Sequence, residues 1–139
     1  PKKLAGFIFQ DNRKREQLNA IVHPFVLEGM QKFFTTNLHQ PIIIAEVPLL
    51  FETGWEKYFD RTVVVTCSEE IAIQRMMEER NYTLEEAKAR LSMQVPAEKQ
   101  IAMADKVIYN EGDLKQLDSQ INRWLGELRK DIRNGKNAN

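Results

Sequence analysis

The chain has 139 residues, 42% hydrophobic and 29% charged, the composition of one globular domain with a core of its own. Twenty basic and twenty acidic residues cancel, which excludes a broad nucleic-acid surface and leaves room only for a local basic pocket. No apolar run reaches the roughly 20 residues of a membrane span and no signal-peptide core opens the chain, while the single cysteine, Cys67, favours a reducing, cytoplasmic compartment.

The start, "PKKLAGFIFQD", has no initiator methionine and reads as the beginning of a piece excised from something longer. Residues 10 to 19, "QDNRKREQLN", read as a charged surface turn. In "IVHPFVLEGMQKFF" the apolar residues Val22, Phe25, Val26, Met30, Phe33 and Phe34 recur at helical spacing, with Pro24 suited to a first turn. A strand follows at 41 to 47, then a loop with Gly54 and a second strand, "RTVVVT", at 61 to 66. Ser68 is an N-cap for a helix over 69 to 80, and "TLEE" at 83 to 86 is a capping box. "KVIYN" at 106 to 110 is a third strand. Leu114, Leu117, Ile121, Leu125, Leu128 and Ile132 mark the last helix, which Gly135 ends, and 133 to 139 read as frayed.

Apolar strands alternating with helices predict an α/β fold, a parallel sheet between helical layers. Ligands of such sheets gather beyond the carboxyl ends of the strands. Glu46, Glu52, Thr66 and Asn110 all fall there. In "IIIAEVPLLFE", residues 42 to 52, a carboxylate inside an Ile-rich strand would be costly to bury, so Glu46 reads as a site group. The plainer reading is a strand-end carboxylate that pairs with an arginine or faces water.

Several motifs carry a resemblance. "IVHP" at 21 to 24, "VPLLFE" at 47 to 52, "QRMMEER" at 74 to 80, "ARLSMQ" at 89 to 94 and "AD.VI.N.G" at 104 to 112 stand in one order. In that order and spacing they resemble the dephospho-coenzyme A kinases over nearly the whole chain. That family of P-loop kinases uses ATP and Mg²⁺ to phosphorylate the ribose 3′-hydroxyl of dephospho-coenzyme A. The resemblance implies a three-layer α/β/α fold with a parallel sheet in the order 2-3-1-4-5. It also implies a division into an acceptor-binding part at 1 to 40 and core strands at 41 to 67. A helix and lid at 68 to 104 and a last strand and helix at 105 to 139 complete it.

Two departures matter. The family's glycine-rich phosphate loop and the aspartate after it do not occur, since the six glycines are scattered and no Gly-Lys-Ser/Thr exists. The chain therefore resembles the C-terminal two-thirds of the enzyme and is expected not to catalyse as it stands. The lid pattern places two arginines four apart, whereas here position 79 is Glu and the second arginine is Arg80.

By resemblance, Glu46 holds a Mg²⁺ water or orients the acceptor, Arg75 contacts ATP phosphates and assists catalysis, and Arg80 is a second nucleotide contact. Asn110 meets the adenine edge, and His23, Leu50, Phe51 and Glu52 line the acceptor site. No residues are spaced as a protein metal site. The plain alternatives are solvated arginines for Arg75, Arg80 and Arg90, a cap or core role for His23, turn chemistry for Asn110, and a small buried thiol for Cys67. Trp55, Tyr58 and Phe59 read as a pocket wall or as core packing. The competing functional readings are a non-catalytic nucleotide- or partner-binding module and a different small-molecule kinase. With strand 1 outside these residues, strands 3 and 4 keep unpaired edges, which predicts a homo-oligomer, a disordered first half, or a strand borrowed from "LAGFIF" at 4 to 9.

Overall fold

The computed structural model describes residues 11 to 135. The chain divides into two compact units, 1 to 45 and 46 to 139. The LAGFIF run lies outside the described residues.

The first unit is built on helix α1, Asn12–Thr36. It starts nine residues before the periodic segment, so the charged stretch is helix and not a surface turn. Its Arg, Lys, Glu, Gln and Leu residues are good helix formers. Asp11 supplies the cap, its carboxylate accepting the N–H groups of Arg13 at 2.9 Å and Lys14 at 3.4 Å. Pro24 therefore sits inside the helix and not in its first turn, where it removes one donor from the ladder. The apolar stripe is no core in this unit, for Phe25 is 73% exposed. Asn37 ends the helix, its side-chain amide donating to the Phe33 carbonyl at 2.9 Å.

The expected strand at 41 to 47 does not form. A strand exists through its ladder, and among the described residues no backbone pairs with this segment. Ile44 is 63% exposed as a result.

The second unit opens with a tight turn over "PLLFETG". Leu49 is held at φ 58°, a left-handed conformation unusual for a branched side chain, and the Thr53 hydroxyl donates to its carbonyl at 2.9 Å. A 3₁₀ turn, Trp55–Tyr58, carries Trp55 and Tyr58. Strand β1, Val63–Thr66, leads into α2, Glu69–Arg80, and then α3, Leu84–Ser92. Both caps form as the sequence predicts. Ser68 accepts the Ile71 N–H, while Thr83 and Glu86 satisfy each other's backbone N–H groups. Asn81 ends α2 at φ 55°, a place usually taken by glycine.

A short helix α4, Ala97–Met103, was not visible in the periodicity and packs near β1. Strand β2, Lys106–Tyr109, follows, and α5, Leu114–Arg133, closes the unit with Gly135 at φ 66° behind it. β1 and β2 run parallel, with Val63 opposite Lys106 and Thr66 opposite Tyr109. Residues opposite one another share a face, so Val64 is buried on one face and Ile108 on the other. The second face is only partly covered, since Val65, opposite Ile108, is 59% exposed.

The amino-terminal edge of the sheet is pinned by Thr62 and Asp105. The Asp105 carboxylate accepts the Thr62 N–H at 2.7 Å and its hydroxyl at 3.1 Å, and that hydroxyl accepts the Asp105 N–H at 3.2 Å. Thr62 is 8% exposed, which makes these bonds costly to lose. The flanking pairs Arg61–Asp131 and Lys106–Glu127, at 3.6 and 3.4 Å, are too exposed to contribute much.

Candidate nucleotide site at the carboxyl edge of the sheet

Parallel strands end on the same side, so Thr66 and Asn110 arrive together. The Asn110 N–H donates to the Thr66 carbonyl at 2.7 Å, extending the ladder one residue past β2. Arg75 lies in the middle of α2, the helix that leaves this edge. It is half-buried, and its Nη1 donates to the Asn110 carbonyl at 2.8 Å. A guanidinium carries five N–H donors, so this bond anchors the group and leaves donors for an anion. The Asn110 carboxamide has no partner among the described residues, although its own backbone is fully engaged. Sequence separation conceals the pairing, since 35 residues lie between Arg75 and Asn110.

The other arginines stand differently. Arg80 is exposed at the last position of α2. Arg90 stacks its guanidinium 4.4 Å from the centre of the Tyr82 ring, a cation–π contact within the helical segment.

The "PLLFE" residues form a separate cluster. Leu50 and Phe51 are half-buried, and the Glu52 carboxylate accepts the Val95 N–H at 3.0 Å. Glu52 thereby ties its turn to the connection between α3 and α4, a structural bond in addition to any acceptor contact. Glu46 is exposed. The desolvation argument for it fails because 41 to 47 is no strand that could bury it. No contact joins Glu46 to Arg75 or Asn110 among the described residues. His23 belongs to the first unit, half-buried on α1. Cys67, expected as a buried thiol, is half-buried in the turn after β1.

Comparison with known proteins decides what this arrangement belongs to. A family model described as dephospho-CoA kinase matches residues 2–116. The chain belongs to the dephospho-CoA kinase family. A dephospho-CoA kinase of Listeria monocytogenes is 35% identical over 127 residues, covering 88% of this chain and 62% of the relative. One from Staphylococcus aureus is 39% identical over 125 residues, covering 89% of this chain and 60% of the relative. The chain thus spans about three-fifths of the length of these curated dephospho-CoA kinases.

Solved structures agree on the fold. A crystal structure from Thermus thermophilus superposes with a TM-score of 0.78 at 33% identity, over 91% of this chain and 66% of that one. A dephospho-CoA kinase from Campylobacter jejuni gives 0.60 at 27% identity, over 93% and 65%. The helix-rich α/β architecture with a small parallel sheet is therefore that of the P-loop dephospho-CoA kinases, as the strand and helix order predicts.

Proposed function

We propose that these residues form the acceptor, lid and nucleotide-edge parts of a kinase that transfers phosphate from ATP to the ribose 3′-hydroxyl of dephospho-coenzyme A. The observation that carries this reading is the Arg75–Asn110 contact at the carboxyl edge of the sheet, in a chain of this family. It sets a phosphate-binding cation beside a carboxamide able both to donate to and to accept from an adenine edge.

Arg75 and Asn110 fit ATP, with Arg80 a further contact at the open end of α2. Among the described residues no three acidic, histidine or cysteine side chains gather as a metal cage. On the family resemblance, Mg²⁺ would be held mainly by nucleotide phosphates and water, where the ion would neutralise charge on the phosphates. Glu46, exposed at the start of the second unit, is assigned to orienting the acceptor or a metal-bound water. Within the second unit, Leu50, Phe51 and Glu52 are assigned to acceptor binding, and by the family resemblance His23 of the first unit is assigned a role in positioning the acceptor.

The test joins residues 1–139 to the phosphate-loop segment of the Listeria relative and follows ATP-dependent phosphorylation of dephospho-coenzyme A. The joined protein should turn over, and the 139-residue chain alone should stay at background because it contains no Gly-Lys-Ser/Thr loop. Glu46→Gln should lower turnover of the joined protein by tenfold or more while the melting temperature stays unchanged. A joined, folded protein with no turnover defeats the kinase reading. Full activity in the Glu46 variant reassigns that carboxylate to solvent.

A further inference from the structure

Gln120 lies on α5, in the second turn, with no motif around it. Its amide oxygen accepts the Tyr109 N–H at 2.9 Å, and its amide nitrogen donates to the Tyr109 carbonyl at 2.8 Å. Ladder geometry explains the pairing. Alternate residues of a parallel strand turn their backbone groups to the same side. Lys106 and Asn110 donate toward β1, to the carbonyls of Thr62 and Thr66, so Tyr109 turns both its groups to the outer edge. No strand of described residues runs there. A carboxamide offers one acceptor and a donor side by side, as a peptide does, and Gln120 stands in for one residue of an absent neighbour.

Asn110 comes next. With its N–H on Thr66 and its carbonyl on Arg75, all four backbone polar groups of the Tyr109–Asn110 pair are engaged. Of the polar groups of Asn110, its side-chain carboxamide is the one with no partner among the described residues.

We propose that Gln120 is a positioning residue for nucleotide binding. By gripping Tyr109 it fixes the peptide that aims the Asn110 carboxamide at a purine and seats the Arg75 guanidinium beside it. The inference rests on the assignment of Asn110 and Arg75 to the nucleotide. A mere edge cover would shield β2 from stray strands and stabilise it, with no bearing on which purine binds.

Nuclear magnetic resonance on the labelled 139-residue chain separates these roles. Its readouts are hydrogen exchange at the Tyr109 N–H and titration with ATP and GTP followed at the Asn110 side-chain amide. The wild type should protect Tyr109 and prefer ATP. Gln120→Leu should expose Tyr109 to exchange, weaken ATP by about tenfold and erase most of the preference over GTP. Gln120→Glu is the sharper variant. Its carboxylate has two acceptors and no donor for the Tyr109 carbonyl, so at neutral pH it should behave like the leucine variant. Protonated, it regains one donor and one acceptor, so the ATP preference should return as pH falls through that carboxyl's titration and vanish as pH rises through it.

The wild-type preference, measured in parallel, sets the baseline at each pH. Loss of Tyr109 protection with purine preference intact makes Gln120 an edge cover and overturns the proposal. So does a Gln120→Glu chain whose preference ignores pH. A wild-type chain whose Asn110 amide does not respond to ATP fails at the earlier step, the nucleotide assignment, and takes this inference with it.

Discussion

Turnover should fall roughly 10- to 1000-fold when Arg75 becomes alanine in a protein that joins these residues to a phosphate loop, the scale of a lost phosphate-stabilising group. The geometry argues for a loss in the chemical step. One guanidinium N–H is committed to the Asn110 carbonyl at 2.8 Å, which holds the group half-buried in one orientation. On the proposed assignment, a side chain so anchored would meet developing charge without first losing its own freedom. Arg75→Lys should fall between wild type and alanine, because an ammonium keeps the charge and gives up the planar fork. Steady-state kinetics together with a melting curve decide the matter. If both variants melt early and turn over normally, Arg75 serves only to hold the end of β2.

Asp105→Ala should be the most destabilising single change at the other edge, at about 2–4 kcal/mol. It strips the Thr62 N–H and hydroxyl of their acceptor while Thr62 stays 8% exposed, and each buried donor left unpaired costs about 1–3 kcal/mol. For a unit of this size the melting temperature should drop by on the order of 10 °C. Asp105→Asn keeps one acceptor oxygen and should lose less. Thermal unfolding followed by circular dichroism measures both, and a loss below about 1 °C for the alanine variant would show the Thr62 groups finding water instead.

These two residues mark what could be read from the chain and what could not. The capped helices were legible because caps are local: Ser68 meets Ile71, and Thr83 meets Glu86, within three residues. β1 and β2 were legible as apolar runs, each a little shorter than its run because the ladder has only four rungs. The start of α1 is hidden because charged helix formers resemble a polar turn, and α4 is hidden because seven residues show no periodic face. The apolar run at 41 to 47 predicts a strand that does not form, since Ile-Ile-Ile expresses a propensity that only a neighbour can realise. Within the site, Arg75 and Asn110 stood out as residue types, but nothing local revealed that one holds the other. Gln120 carried no signal at all, because a carboxamide that completes a strand edge is defined by its tertiary partner. Asp105 was visible only as a letter in "AD.VI.N.G", and its bond to Thr62 gives that letter a physical reason.

The Thr62–Asp105 bonds also set a kinetic condition on the fold. They join positions 43 residues apart, and closing a flexible loop of that length costs about 3 kcal/mol in chain entropy before any rung of the ladder repays it. Three helices, α2, α3 and α4, lie between the two strands, and α2 and α3 open on side-chain caps. Helices form far faster than distant strands meet, and each one shortens the path the chain ends must search. Loss of the capping box at Thr83 or the cap at Ser68 should therefore slow the meeting of the two four-residue strands, although neither residue is part of a strand.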